Sequence, residues 1–320
     1  MVEVQQRARV VVVHGRTAEV LHEPDDGVAA VRLAPGLSLT PVAGDEVHVA
    51  DGRITEVLPR RTQLTRPDPN GHELQVLAAN VDLVLLVAPA DHGLREGALE
   101  RMAILAWDSG ATPLVVLTKA DLADDPDARA EQARTAAPGV EVVLTSTVDG
   151  RGLDALRAHL GAGVTATMLG ASGAGKTSLL NALEGRDEAT REVRADGEGR
   201  HTTTTRRLYR LASGGTLLDL PGVRNLDLHA SEEGVAAVYA DVAALAEECR
   251  FVDCAHDTEP GCAVTAAIAS GELSTRRLDG WHAARRELAY LERRTDPAAR
   301  AAKLQEWKRL TRASRSRQRP

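Results

Sequence analysis

Residues 170–178 read Gly170-Ala171-Ser172-Gly173-Ala174-Gly175-Lys176-Thr177-Ser178. This Gly-x-x-x-x-Gly-Lys-Thr run meets the structural condition under which such a run binds phosphate. A β-branched, apolar stretch enters it (VTATMLG, 164–170) and a helix-forming stretch leaves it (SLLNALEG, 178–185). Glycines let successive backbone N–H groups turn inward around phosphate oxygens, and the helix start adds the positive end of its dipole. Lys176 is placed to reach the β- and γ-phosphates of a nucleotide, and the Thr177 hydroxyl to coordinate Mg²⁺. A glycine-rich turn with an incidental lysine is the alternative, and the flanking pattern weighs against it.

A phosphate loop does not choose between ATP and GTP. The apolar stretch TPLVVLT (112–118) ends in Thr118-Lys119-Ala120-Asp121, where a loop leaving a parallel sheet meets ligand. An aspartate there accepts from N1–H and the exocyclic amine of guanine, a pair that adenine lacks, and Lys119 offers an aliphatic stem to lie along the base. The next apolar stretch ends in Thr145-Ser146-Thr147, where a short loop supports the base, with Ser146 as its contact. Asp219-Leu220-Pro221-Gly222 follows the strand-like TLLDL (216–220); Asp219 is suited to hold Mg²⁺ through water and the Gly222 N–H to touch the γ-phosphate. Between the phosphate loop and this string lies GRHTTTT (199–205), in which one of Thr202, Thr203, Thr204 and Thr205 completes the Mg²⁺ shell.

The order of these strings is base reader, base-supporting loop, phosphate loop, first switch, second switch. An ordinary GTPase begins with the phosphate loop. Joining its ends and cutting before the base-reading half produces the order found here, so the spacing predicts a circularly permuted GTPase domain. Permutation is tolerable because domain termini often lie close together on the surface.

Around this centre the chain changes texture twice. In the first sixty residues, apolar runs alternate with Gly, Pro and Asp at intervals of about ten residues, predicting five short strands in a small barrel; the pattern fits an OB-like barrel and does not by itself separate it from an SH3-like one. RTQLTRPDPNG (61–71) reads as a linker. From Ala79, the continuous apolar runs VDLVLLVAP, TPLVVLT, VEVVLTS and VTATMLG alternate with helix-compatible stretches such as GALERMAILAWDSG and LDALRAHLG, the mark of buried parallel strands. TRRLYRLA and GGTLLDLPG offer two further strands, and after Gly222 the chain reads as helical. The organisation expected is multidomain: an OB-like β-barrel over 1–66, a circularly permuted α/β P-loop GTPase domain over 67–228, and a helical zinc-binding domain with a basic arm over 229–320.

All three cysteines fall in Cys249-RFVD-Cys254-A-His256-DTEPG-Cys262. In a reducing compartment, such a cluster is better explained by metal than by disulfides. Three thiolates and the His256 imidazole make a closed Cys₃His shell of the structural zinc type; three buried thiols beside an incidental histidine are the alternative.

Composition narrows the rest. The chain has 320 residues, 43% hydrophobic and 27% charged, as in globular proteins. No apolar run is long enough to span a bilayer, and the first residues, MVEVQQRARV, carry no apolar signal-peptide stretch, so a cytoplasmic protein without a membrane partner is expected. The net charge of −7 is uneven: residues 276–320 hold 14 Lys plus Arg against 5 Asp plus Glu, a balance of +9, which leaves −16 on the first 275. An acidic body with a basic arm is suited to meet phosphates, although a solvated helical surface has the same composition. Within the arm, WHAARRELAYLERR places Trp281, Ala284, Leu288 and Leu291 at helical spacing. Only 2% of residues are aromatic, so RNA contact would lean on Arg and Lys rather than on stacking platforms.

The permuted order, the strings GRHTTTT and DLPGV, and the C-x₄-C-x-H-x₅-C cluster together resemble the bacterial family of ribosome small-subunit-dependent GTPases. The resemblance runs over essentially the whole chain and is most specific between residues 79 and 262. It implies an OB-fold that binds RNA or the ribosome for the N-terminal β-domain, GTP as substrate and GDP as product, Mg²⁺, one structural Zn²⁺, and a monomeric factor of late ribosome biogenesis. Such a factor binds the 30S subunit and its 16S rRNA, hydrolyses GTP faster when bound, and leaves when the subunit is mature. His201 matches a residue proposed in the family to assist hydrolysis; packing of the switch is its other reading. Two positions depart from common patterns. Thr118 stands where the family usually has Asn, and lacks the amide donor, which puts guanine affinity in question. Val223 stands where Ras-like enzymes place a water-orienting Gln, in keeping with weak intrinsic hydrolysis.

The residues leave other functions open. One is an RNA-binding assembly protein for which GTP is only an occupancy signal; another is a P-loop ATPase or kinase, which requires Asp121 to be accidental. A lever is also expected, in which order in 219–223 set by the γ-phosphate moves the zinc cluster and the basic arm that follow.

Overall fold

Four consecutive valines, Val10–Val13, lie in the first strand, β1 (Gln6–His14). A computed structural model of the chain describes residues 5–22, 27–67, 74–184, 207–219 and 231–295. In it Val10, Val11 and Val12 are all buried, which strict strand alternation would forbid. The pairing of β1 with β2 (Thr17–His22) slips between Val10 and Val12. This bulge shifts the alternation, so that Val10 and then Val13 face the barrel core, and adds the twist that a small barrel needs to close. With β3 (Val28–Leu33), β4 (Glu46–Ala50) and β5 (Arg53–Val57) the barrel closes in the order β1-β2-β3-β5-β4, with β3 parallel to β5. Val10, Val20, Val47 and Ile54 fill its core. This is the OB-like barrel expected from the five apolar runs.

In its described part, the segment 61–71 read as a linker is a strand. Gln63–Pro67 forms β6, which pairs with β7 (Leu74–Ala79) as a two-stranded sheet. The turn-like composition of Pro67-Asp68-Pro69-Asn70-Gly71 hid the alternation of Gln63-Leu64-Thr65-Arg66, in which Leu64 is buried.

Six strands build the larger sheet: β8 (Leu83–Pro89), β9 (Thr112–Thr118), β10 (Val142–Leu144), β11 (Thr165–Leu169), β12 (Arg207–Arg210) and β13 (Thr216–Asp219). Their order is β10-β9-β8-β11-β13-β12, parallel throughout except for β12. Among the described residues this unit has the helices α1 (Glu96–Asp108), α2 (Pro126–Ala136), α3 (Leu153–His159) and α4 (Lys176–Leu183). Because the strands are buried on both faces, they read as unbroken apolar runs. Leu83, Leu85 and Val87 pack with Leu156 of α3 and with Leu179, Leu180 and Leu183 of α4. Val84 and Leu86 point to the other face, and α1 packs against β8 and β9. The parallel direction brings the C-terminal ends of β8, β9, β11 and β13 to one edge of the sheet, where open α/β folds bind ligand.

The barrel is sewn to the start of this sheet. Ala79 N–H donates to the Ala43 carbonyl at 3.1 Å, and Asn80 Nδ2 donates to the Gly44 carbonyl at 3.1 Å. Gly44 has φ +91°, and a Cβ there would lie 2.0 Å from the Ala79 carbonyl oxygen. Beside it Asp45, fully buried, takes Arg60 Nε at 2.8 Å, Arg60 Nη2 at 2.9 Å and the Val42 N–H at 2.8 Å.

The chain forms two compact units, Met1–Thr65 with Val76–Asp227 and Arg66–Gln75 with Leu228–Pro320. The second contains α5 (Glu232–Val238), α6 (Ala240–Glu247), α7 (Ala263–Ser270) and α8 (Thr275–Thr295). Its hub is Arg277, only 3% exposed. The guanidinium bonds Asp241 at 2.6 and 2.9 Å and the Val238 carbonyl at 2.8 Å, and lies 4.5 Å over the Tyr239 ring. Trp281 and Leu288 of α8 are buried and Ala284 is half-buried, as helical spacing required; the Leu291 side chain lies outside the described residues.

Gly44→Ala therefore lowers stability by more than the roughly 1–2 kcal/mol of left-handed strain alone, because the barrel must also shift from Ala79. Gly36→Ala, at φ +78° with open space around it, costs only the strain. Urea unfolding of the two variants measures the difference.

Candidate functional site

The loop leaving β11 is tightly constrained where it starts. A Cβ on Gly170 would lie 2.4 Å from the Val87 carbonyl oxygen, so only glycine lets β11 and β8 stay paired up to the loop. Gly175, with φ +89°, starts α4. Lys176 Nζ folds back over this turn and donates to the carbonyls of Gly170 at 2.6 Å and Ala171 at 2.8 Å. Ala171, Ser172, Gly173 and Thr177 are exposed, Ala174 is buried and Ser178 is half-buried. Across the edge, burial raises the Asp219 carboxyl above the usual carboxylate range, while the Lys176 charge opposes the rise. A cation and a carboxylate thus share one neighbourhood at the helix start, the arrangement a Mg²⁺–phosphate pair needs.

Thr118 is turned inward. It is 4% exposed, and its hydroxyl donates to the Ala174 carbonyl at 2.6 Å. The Gly175 Cβ position lies 3.1 Å from the same oxygen. The threonine therefore joins the end of β9 to the phosphate loop instead of pointing to solvent, and its lack of an amide does not leave this contact unmade.

Lys119 follows in the left-handed region, with φ 58° and ψ 38°. This turns the chain so that Asp121 is exposed while Ala120 is buried, with the Ala120 N–H on the Thr145 carbonyl at 3.0 Å. Thr145 and Ser146 are fully buried. Ser146 Oγ accepts from the N–H groups of Val148 at 3.2 Å and Asp149 at 3.3 Å, so its hydroxyl oxygen shapes the base-supporting loop from within. Asp91, in the segment after β8, pairs with Lys119 Nζ at 2.9 Å. The sequence reading missed Asp91; its signal was an acidic residue just past a parallel strand that neighbours both β9 and β11. A cavity of about 810 Å³ opens between the phosphate loop, Lys119, His92, Arg95 and Met102. His201, Thr202, Thr203, Thr204, Thr205, Gly222 and Val223 lie outside the described residues.

In the helical unit, Cys249, Cys254, His256 and Cys262 offer ligand atoms that all lie within 4.8 Å of one another. His256 Nδ1 is 3.5 Å from both Cys249 Sγ and Cys262 Sγ, and the two sulfurs are 3.8 Å apart. Those spacings match the edges of a tetrahedron around an ion with Zn–S near 2.3 Å and Zn–N near 2.0 Å, so the group could hold zinc. Burial opposes ionisation of Cys262, yet the Thr265 backbone and side chain, with His256, hold its thiol down to about 6; burial pushes Cys254 up to about 11. His256 is 4% exposed, sits at φ 62°, and rests against Trp281 with ring centroids 5.2 Å apart. The sequence reading also missed Glu259, whose carboxylate takes the N–H groups of Ala255 and Asp257 at 2.9 Å and Thr258 at 3.1 Å. It is held down to about 2 by its own N–H first and then by those of Ala255 and Asp257.

Two outcomes follow. Thr118→Val leaves the buried Ala174 carbonyl without its donor and lowers unfolding free energy by about 1–3 kcal/mol, whereas Thr118→Ser retains it; urea titration compares them. Metal analysis of the purified protein returns one zinc per chain, and Cys262→Ser abolishes it together with the thermal stabilisation that added zinc gives.

Comparison with known proteins agrees with this geometry. The model of the RsgA GTPase family matches residues 57–229. The chain is 49% identical over 278 residues to the "Small ribosomal subunit biogenesis GTPase RsgA" of Streptomyces coelicolor, covering 83% of this chain and 75% of that one. It is 37% identical over 315 residues to "Small ribosomal subunit biogenesis GTPase RsgA 2" of Listeria monocytogenes, covering 96% and 91%. Among solved structures it resembles YjeQ from Thermotoga maritima (TM-score 0.68, 28% identity, 89% of this chain and 99% of that one). It also resembles YloQ, described as a circularly permuted GTPase (TM-score 0.63, 26% identity, 89% and 95%). The chain belongs to the RsgA GTPase family.

Proposed function

We propose that this protein hydrolyses GTP to GDP and phosphate during late maturation of the 30S ribosomal subunit, that the subunit stimulates hydrolysis, and that hydrolysis is coupled to release. The observation that carries the nucleotide reading is the Thr118–Ala174 hydrogen bond, because it unites a guanine-type loop and a phosphate loop in one site. In this reading Asp121 accepts from the guanine edge, Lys119 lies along the base and the Ser146 loop closes behind it. The N–H groups of residues 170–178 surround the phosphates, and Lys176 exchanges its loop carbonyls for phosphate oxygens. Thr177 and Asp219 hold Mg²⁺, directly and through water. Gly222, His201 and one of Thr202–Thr205 are assigned to the γ-phosphate end from the sequence alone.

The partner reading rests on the names of the relatives, which we extend to this chain, and on charge. On the barrel, Arg32 and Arg53 are direct cross-strand partners and both are exposed, with Arg16 exposed at the neighbouring turn. Like charges placed opposite one another destabilise a strand pair, and an anionic polymer such as 16S rRNA relieves that cost. We place the protein in the cytoplasm as a monomer, with zinc stabilising the helical unit.

The test is GTP turnover by the purified protein alone, with 30S subunits, and with 50S subunits as control. Stimulation by 30S alone is expected. Lys176→Ala abolishes turnover, and Arg32→Glu with Arg53→Glu weakens subunit binding while leaving basal turnover unchanged. Binding of GTP without stimulation would instead favour a role for GTP as an occupancy signal only. Equal competition by ATP would remove the guanine assignment.

A further inference from the structure

We infer that Asp91 is a positioning residue for recognition of the nucleotide base, acting through Lys119; this rests on the guanine-nucleotide reading above. The sheet order places β8 between β9 and β11, so the segment leaving β8 lies between the base-reading loop and the phosphate loop. Its first residue is clamped there: Ala90 is 1% exposed and its N–H donates to the Thr118 carbonyl at 2.8 Å. Asp91 comes next, with its side chain 11% exposed.

The two carboxylate oxygens are in different situations. Oδ2 takes the Lys119 ammonium at 2.9 Å, with the exposed His92 Nε2 farther off at 3.6 Å. Oδ1 is shielded from solvent and accepts no hydrogen bond among the described residues. A carboxylate so withdrawn from water depends on its one close cation, because removing a partner from a desolvated pair leaves an uncompensated charge.

Lys119 gains as much from the contact. Its backbone is fixed in the left-handed region, with the next N–H held by Thr145. Its ammonium is fixed by Asp91. A lysine stem held at both ends becomes a ridge of fixed position, where a free lysine would sample many rotamers. Side-chain order established before the ligand arrives is not charged against binding. The ridge borders the cavity beside the phosphate loop, so the base meets a wall already in place. GDP and GTP share that base, and both benefit equally.

The test is a double-mutant cycle on the full-length protein, using Asp91→Ala, Lys119→Ala and the double variant, with GDP and GTP affinities measured by titration calorimetry. Asp91→Ala is expected to weaken both nucleotides by about tenfold and by the same factor, as contacting residues couple. In the Lys119→Ala background the same change is expected to have less than a twofold effect. Asp91→Asn, which keeps the shape and an acceptor, should fall between wild type and Asp91→Ala, and serves if Asp91→Ala does not fold. Unchanged affinity in either Asp91 variant, or a full loss that persists without Lys119, overturns the assignment and leaves the nucleotide reading standing. A wild-type protein that binds neither GDP nor GTP overturns the nucleotide reading, and this inference with it.

Discussion

The site depends on one constraint, the pairing of β11 with β8 on one side and β13 on the other. A strand bonded on both edges cannot slide, so the loop that leaves it is fixed at the centre of the sheet. The described residues that we assign to phosphate and its ion are arranged around that loop. Gly170 is where it is because a side chain would open the β8–β11 seam. Asp219 arrives from β13, and Thr118 reaches in from β9 through the Ala174 carbonyl. Chain order is irrelevant to this geometry. The sheet requires β8, β9, β11 and β13 to be parallel neighbours, and it does not matter which of them comes first in the chain.

The two compact units solve different stability problems. The sheet unit buries long apolar strands between helices and needs no cross-link. The helical unit buries Tyr239, Leu278, Trp281 and Leu288, and it adds polar anchors: the Arg277–Asp241 contact, the Tyr239 face and the Cys₃His group. In each case a desolvated charge or thiolate has a named partner, as burial requires. The barrel lies between these solutions, with a valine core and one buried Arg60–Asp45 pair beside the junction with the sheet.

Much of this was legible in the chain. The five barrel strands, the apolar strands of the sheet and the spacing of the cysteine group were read from local pattern, because period-2 alternation, continuous β-branched runs and ligand spacing are properties of neighbouring residues. The segment at 61–71 was misread for the same reason: its prolines and asparagine signalled a linker, while Leu64 found a buried place in a strand that only pairing with β7 makes favourable. Asp91 and Glu259 went unseen because neither belongs to a motif. Asp91 matters through Lys119, 28 residues away, and Glu259 through three backbone N–H groups that converge only when the loop is folded.

The sequence by itself determined the chemistry available: phosphate-binding glycines, a guanine-type aspartate, three thiols with an imidazole, and the permuted order in which the nucleotide motifs follow one another. Tertiary structure alone decided how those groups are held. It turned Thr118 from a doubtful base contact into a bond between two loops 56 residues apart, and it placed a shielded carboxylate behind Lys119. The reason is physical. Residue type and spacing specify which interactions are possible, whereas burial decides which of them must be made, because only a group removed from water has to find its partner inside the protein.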